Sequence, residues 1–378
     1  MILEAFMGVM AGISGAVPFI HTNLVLQIFE KSFSNPVGKA VFAISTAISH
    51  SFFEIFPTIM LLGMGKAGMH GKGFQEVLAI SLKSFAFCIV LLPLFVICLP
   101  AAKAGFSENL KFLFLAIVVS QLINEKSLRS AVVGMAIFLL SGVLGLVTFY
   151  GGAVAEPLFP MLSGFFAVPA LLFGINREDG KAEGVNQNAA PAPIILMCVA
   201  ASAFSTLFPA LTVGVLLGVL MLVLRDGGKI SVIVPSLLVS KVFYDVAASA
   251  ITGKTRSYAA VLARPMADFF GNGAINVIAA VSIVAACFSV LILAAFSKKL
   301  AGIVGMVENR NVGKIGVAAI LIFVAASSGL VGILLGGTAA SMGIVGRELG
   351  AKRSFLMGSL IVPAICYQFG MDGLGGMI

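Results

Sequence analysis

The sequence predicts an all-α, polytopic membrane protein of roughly ten to twelve membrane segments, built as two homologous, inverted repeats with broken or re-entrant helices. Composition is the first observation. Of 378 residues, 60% are hydrophobic and 11% charged, where ordinary soluble domains carry roughly 45–50% and 25%. The second is that apolar runs recur from end to end, near 5–29, 37–65, 77–102, 109–123, 130–151, 157–175, 192–224, 230–252, 256–270, 273–297, 313–345 and 354–370. A spanning helix needs only about 20 mainly apolar residues. The third is an internal echo between the two halves of the chain. This arithmetic excludes a soluble enzyme, a DNA-binding domain and a disordered tail.

The first stretch is not a uniform helix. It reads Gly8-Val9-Met10-Ala11-Gly12-Ile13-Ser14-Gly15-Ala16-Val17-Pro18-Phe19-Ile20-His21-Thr22-Asn23. Pro18 lacks an N–H and disfavours helix in the residue before it, yet suits a first helical position. A helix, a break at Ser14–Val17 and a new helix from Pro18 follow. The new helix start exposes free N–H groups and a positive dipole end, which suit an anion. The second half offers Ser205-Thr206-Leu207-Phe208-Pro209 and Thr212 in the same role. An ordinary proline kink satisfied by neighbouring helices is the competing reading.

The stretch at 37–65 carries Ser49-His50-Ser51-Phe52-Phe53-Glu54, and the one at 230–252 carries Ser240-Lys241-Val242-Phe243-Tyr244-Asp245. These align without gaps at an offset of 191 residues, as do Ser14 with Ser205, Pro18 with Pro209, Ser45 with Ser236 and Ser49 with Ser240. His50 with Glu54 and Lys241 with Asp245 stand i,i+4, so each pair shares a helix face and can neutralise itself. Ionisable groups inside a span face the bundle interior and are functional candidates. Glu54, Asp245 and His50 are the candidate ion-coupling residues. Static pairs that pin helices together are the alternative.

Loops with Lys and Arg among small residues follow both motifs, including Gly63–Lys66, His70–Phe74 and Gly253-Lys254-Thr255-Arg256-Ser257-Tyr258. They suit a phosphate or carboxylate, or simply obey the charge bias of cytoplasmic loops. The plainly polar segment Asn176–Asn188, followed by Pro191 and Pro193, divides a first repeat at 1–175 from a second at 192–378, with 176–191 as linker.

The net charge of +8 is spread over short loops such as Lys298/Lys299 and Arg347/Lys352/Arg353. That is the positive-inside pattern of a multi-pass protein of the cell membrane, and nucleic acid is an unnecessary partner. The opening Met1-Ile2-Leu3-Glu4 lacks a basic start, so the first stretch is expected to be retained. The five cysteines are odd in number and lie in apolar runs, as small core or lipid-facing side chains. No nucleophile elbow, P-loop, zinc signature or dinucleotide fingerprint is visible, so no catalytic set and no cofactor is assigned beyond Na+ or H+ as coupling ion.

At these residues the chain resembles the large membrane subunit of the tripartite tricarboxylate transporters, the TctA family, and most of all its shorter single-protein archaeal branch. The first repeat is similar to G-x-x-x-G-x-x-P-G-I-H-x-N at Gly8, Gly12 and Pro18–Asn23, to T-H-x-F-x-[DE]-x-x-P at Ser49–Pro57, and to G-[KR]-G-[FY]-x-[AE] at Gly71–Glu76. The second is similar to G-K-x-R-S at Gly253–Ser257. The family's P-G turn is replaced by Pro18-Phe19 and Pro209-Ala210, which removes the glycine that lets a ligand approach the backbone. The resemblance implies a secondary transporter of an anionic solute driven by a cation gradient, served in full tripartite systems by a small membrane subunit and an external binding protein.

The expected function is therefore ion-coupled transport of an organic anion, a carboxylate, by alternating access between repeats. Ser14, Pro18, His21, Thr22, Asn23, Ser205, Pro209, Thr212, Lys241 and Arg256 are the candidate substrate-binding residues. The alternative is a translocase of polyprenyl phosphate, whose headgroup suits the same helix starts and whose tail suits apolar groove walls. Partners are membrane lipids and a small anion or lipid phosphate, and a homodimer is compatible with the sequence.

Overall fold

The computed structural model describes residues 1–16, 22–54, 72–106, 110–123, 125, 127–152, 154, 157–173, 192–207, 213, 216–217, 220, 224, 230–253, 255, 257–306 and 310–369. Among these the chain is all-helical, with no strand. Five helical stretches are long and apolar enough to cross a membrane, at Phe74–Ala101, Leu128–Gly151, Ser231–Thr252, Tyr258–Ser297 and Lys314–Glu348. Four shorter apolar helical stretches, Ile2–Ala16, Leu158–Ala167, Ala192–Ser205 and Ser354–Cys366, accompany them.

Two compact units are formed, and each draws on both sides of the polar segment at 176–191. Met1–Ala104 and Arg177–Met306 form one; Gly105–Asn176 and Val307–Ile378 form the other. The first unit contains α1 (Ile2–Gly12), which runs into a 3₁₀ turn at Ile13–Ala16, α2 (Thr22–Phe29), α3 (Pro36–Phe53) and most of α4 (Lys72–Phe106). The second is built from α5 (Leu110–Ile123), α6 (Leu128–Gly151), α7 (Leu158–Leu162), a π turn at Ser163–Ala167 and α8 (Val168–Phe173). The chain then returns to the first unit with α9 (Ala192–Ser205), α10 (Ile230–Thr252), α11 (Tyr258–Ala263), α12 (Pro265–Phe270) and α13 (Ala274–Met306). It completes the second with α14 (Arg310–Glu348) and α15 (Gly358–Gln368).

Local chemistry sets several helix ends. Asn35 caps α3 by accepting from the Val37 N–H at 3.0 Å, with Pro36 at its first position. Ser127 caps α6 and Ser257 caps α11 in the same way. Gly152 closes α6 in the left-handed region at φ 59°, where a side chain would be strained. Gly329, at φ 62° and ψ −158°, kinks α14 in mid-course.

In the first unit α3 is the hub, packed against α1, α13, α11 and α10. Its approach to α1 depends on three glycines. A Cβ on Gly8 would lie 2.6 Å from the Phe42 carbonyl oxygen. One on Gly12 would lie 2.7 Å from Ser49 Oγ and 2.8 Å from the His50 nitrogen, and one on Gly15 would meet the His50 carbonyl. This is the small-residue seam by which membrane helices approach closely. Serine hydroxyls stitch the other neighbours: Ser289 of α13 donates to Ser49 at 2.8 Å, Ser84 of α4 to Ser236 at 2.9 Å, and Ser202 of α9 pairs with Ser240 at 2.7 Å.

The second unit repeats the glycine device in a crossed manner. Gly164-x-x-x-Val168-Pro169-Ala170 and Gly358-x-x-x-Val362-Pro363-Ala364 share one pattern. The later copy docks on the glycines of α6, with Gly142 against Val362 and Gly145 against Ser359, while the earlier copy docks on α14, with Gly343 against Phe165 and Pro169. At the start of α6, Glu125 accepts from Ser130 and pairs with Lys352 at 3.0 Å. Burial opposes its ionisation, but the Ser130 and Lys352 contacts outweigh that and hold the Glu125 carboxyl below the usual range.

Two outcomes follow from this packing. Gly12→Ala costs about 1–3 kcal/mol of stability by overpacking, whereas Gly151→Ala, whose Cβ meets nothing within 4 Å, costs nothing; thermal unfolding in detergent reads both. A carboxyl with a lowered folded-state pKa contributes stability above its unfolded pKa and loses it as pH falls through the folded value. The wild type therefore loses thermal stability below about pH 4, and Glu125→Gln shows a shallower acid limb.

Candidate functional site

Buried polarity in the first unit gathers at the last turn of α3 and the middle of α10. His50 is 2% exposed. Its Nδ1 lies 3.3 Å from Ser14 Oγ, in the 3₁₀ turn that leaves α1, and its Nε2 lies 3.5 Å from Glu54 Oε1 at the end of α3. Ser14 reaches the ring because Gly15 and Gly12 allow the turn onto the α3 backbone. Glu54 is the outer end of this row, its side chain 27% exposed where those of the other pair are nearly covered. Ser49, one residue before His50, donates to the Val9 carbonyl at 3.1 Å and fixes the α3 face that carries the imidazole.

The equivalent pair on α10 is closed. Lys241 Nζ is directly bonded to Asp245 Oδ1, with both residues buried. α10 is the most enclosed of the five long apolar helices, so this pair is held away from lipid, where a lone charge would be costly. Ser240, beside Lys241, pairs with Ser202 of α9, just as Ser49 ties α3 to α1.

Aromatic rings bring the two motifs together. Phe52 and Phe243 occupy equivalent motif positions, and both pack edge-on against Phe85 of α4, at 5.9 and 5.7 Å between centroids. Tyr244 lies 4.5 Å from Phe95, and its hydroxyl donates to the Cys88 carbonyl at 3.5 Å. One helix, α4, therefore contacts both copies.

The candidate substrate residues divide. Ser14 joins His50 and Glu54 in one row, and Lys241 joins Asp245. Ser205 is buried but donates to the Ser202 carbonyl at 2.7 Å within its own helix, so Ser14 and Ser205 do not play matching parts. Thr22 opens α2 and is half-buried, and Asn23 follows it in that helix. Pro18, His21, Pro209, Thr212 and Arg256 lie outside the described residues. Sequence reasoning missed Phe85, Ser84, Ser202 and Ser289. The i,i+4 serines Ser45/Ser49 and Ser236/Ser240 were a readable signal for a polar seam; the isolated partners on other helices carried none. Among the described residues no group of three or more His, Cys, Asp or Glu side chains comes together as a metal-ion cluster.

The arrangement holds an ammonium against a carboxylate on α10 and sets an imidazole between a hydroxyl and a carboxylate on α3. Comparison of the chain with family models, with curated proteins and with solved structures yields no match.

The closed pair makes its own prediction. Removing one member of a buried ion pair leaves an uncompensated charge at a cost of about 3–5 kcal/mol. Lys241→Met and Asp245→Leu each lower the thermal midpoint strongly, and the double variant recovers most of the loss. Additive losses in this cycle would show that the pair is not coupled.

Proposed function

We propose that this protein is a secondary active transporter of an organic anion, a carboxylate, coupled to a cation gradient by alternating access between two inverted repeats in the cell membrane. The observation that carries this reading is the pair of ionisable i,i+4 couples, His50–Glu54 and Lys241–Asp245, at matching positions of a duplicated motif on two enclosed helices. Enclosed charges of this kind in a lipid-borne chain mark substrate or ion pathways. Duplicated halves with broken helices place such sites between repeats.

Three further features support it. The motif phenylalanines meet on Phe85, the G-x-x-x-V-P-A pattern recurs near the end of each half with exchanged docking partners, and the motifs resemble those of the tricarboxylate transporter family. In this reading the roughly ten to twelve segments include short, broken ones that do not cross the bilayer alone. Lys241 and the loop cation Arg256 meet the anion with Ser14, Thr22, Asn23 and the helix starts at Pro18 and Pro209. No chemical conversion is assigned.

The test is uptake by purified protein in liposomes, with radiolabelled succinate and citrate offered under inward Na+ or proton gradients. Gradient-driven uptake is expected; Glu54→Gln reduces it by about tenfold or more while the protein stays folded, and Asp245→Asn reduces it as much while also lowering the thermal midpoint, because Lys241 loses its partner. Absence of anion movement under both gradients would sink the reading, and retention of polyprenyl phosphate in that protein would identify it as a lipid-carrier translocase.

A further inference from the structure

We infer that the coupling ion is a proton and that it travels on the His50 imidazole, between the Ser14 hydroxyl and the Glu54 carboxylate, an inference that rests on the transporter reading above. The two motif copies differ in the one respect that matters for a switch. At the cationic position the second copy has a lysine ammonium bound directly to Asp245, both side chains about nine-tenths covered. The first copy has an imidazole, whose two nitrogens can take a proton on one side and give one up on the other. Both nitrogens face a polar neighbour, Ser14 Oγ at 3.3 Å and Glu54 Oε1 at 3.5 Å. A hydroxyl both donates and accepts. Ser14, His50 and Glu54 thus form a continuous row from a half-buried hydroxyl in the turn after α1, through the buried ring, to a carboxylate that is 27% exposed.

The transfer balances with water as donor and acceptor at its two ends. Protonated Glu54 gives its proton to Nε2, Nδ1–H passes a proton to Ser14 Oγ, and that half-buried hydroxyl releases its own to water. Reorientation of the neutral ring resets the row. The surroundings leave this role to His50. α3 is packed by α1, the 3₁₀ turn, α2, α10, α11, α12 and α13, and by α4 through Phe85. Their described ionisable side chains are Glu4, Glu76, Lys83, Cys88, Cys98, Lys241, Tyr244, Asp245, Tyr258, Asp268, Cys287 and Lys299, with Arg264 between α11 and α12. Glu4 lies beside Gly38, near the opposite end of α3, and Lys241 and Asp245 answer each other. The polar partners of the His50 ring among the described residues are Ser14 and Glu54.

Coupling follows from charge. With the proton bound, both pairs are neutral ion pairs. Without it, Glu54 keeps its negative charge opposite a neutral ring, and an incoming anion is repelled. Proton and anion therefore strengthen one another's binding, and the linkage is reciprocal.

The test uses the full chain in liposomes loaded with a pH-sensitive dye, with radiolabelled succinate and citrate outside. Uptake is expected to follow an inward proton gradient at equal Na+ on both sides, with the lumen acidifying in step. The apparent affinity for the anion falls about tenfold per pH unit at the alkaline end. His50→Gln abolishes the acidification and flattens that pH dependence. Should His50→Gln fail to fold, Glu54→Gln and the smaller change Ser14→Ala carry the test, the first abolishing acidification and the second slowing it. Uptake that tracks a Na+ gradient and ignores pH, in wild type and variants alike, overturns the proton while leaving the transporter standing. No anion movement under any gradient overturns both.

Discussion

The close approach of α1 to α3 is the constraint on which the rest of the first unit depends. Helices with ordinary side chains pack with axes about 8–10 Å apart, and lipid supplies no hydrophobic force to draw them together. Gly8, Gly12 and Gly15 clear the contact, and dispersion and hydrogen bonds then act over the shortened distance. The Ser49 bond to the Val9 carbonyl exists only at this range. So does the reach of Ser14 to the His50 ring. A seam that reads as packing is thereby also what assembles the polar row.

Charge is handled by a second device, pairing within one helix. The i,i+4 spacing places each carboxylate one turn beyond its basic partner, so α10 neutralises its own charges without waiting for another helix to dock, and α3 does so when the His50 ring holds the proton. A helix that enters the interior already neutral avoids the penalty of burying a lone charge. It also leaves the inter-helix contacts to serines and phenylalanines, which is what is observed: Ser289, Ser84 and Ser202 make the polar ties, and Phe85 wedges between Phe52 and Phe243.

The helical, membrane-compatible character was legible from composition alone, because long apolar stretches in a chain with few charges admit little else. The pairs His50–Glu54 and Lys241–Asp245 were equally legible, since i,i+4 geometry is local and needs no tertiary information. The meeting of Ser14 with His50 was not, because it depends on how far the turn after α1 slides along α3. Nor was Phe85, one aromatic among many in an apolar helix. The G-x-x-x-V-P-A pattern was readable in principle, yet short identities are common in such sequence, and it stands out once both copies are seen docked on glycines.

The division of the chain into sequence halves and its division into compact units are different cuts, and the difference is informative. Each half contributes its earlier part to the unit that holds His50, Lys241 and Asp245, and its later part to the other. Had each half folded on itself, each unit would contain one charged pair and its own glycine-docked ending. Instead both charged pairs are gathered in one unit, and both G-x-x-x-V-P-A segments in the other. In the second unit glycine meets side chain or backbone at the helix contacts, the Ser141 hydroxyl donates to the Phe355 carbonyl at 3.2 Å, and the ion pair described there, Glu125–Lys352, lies at helix ends. Segregation of this kind lets one unit specialise in polar chemistry while the other meets the ordinary requirements of a bilayer. Because the same motif is present twice within the specialised unit, the exchange of lysine for histidine at one position is enough to give its two copies different electrostatic behaviour.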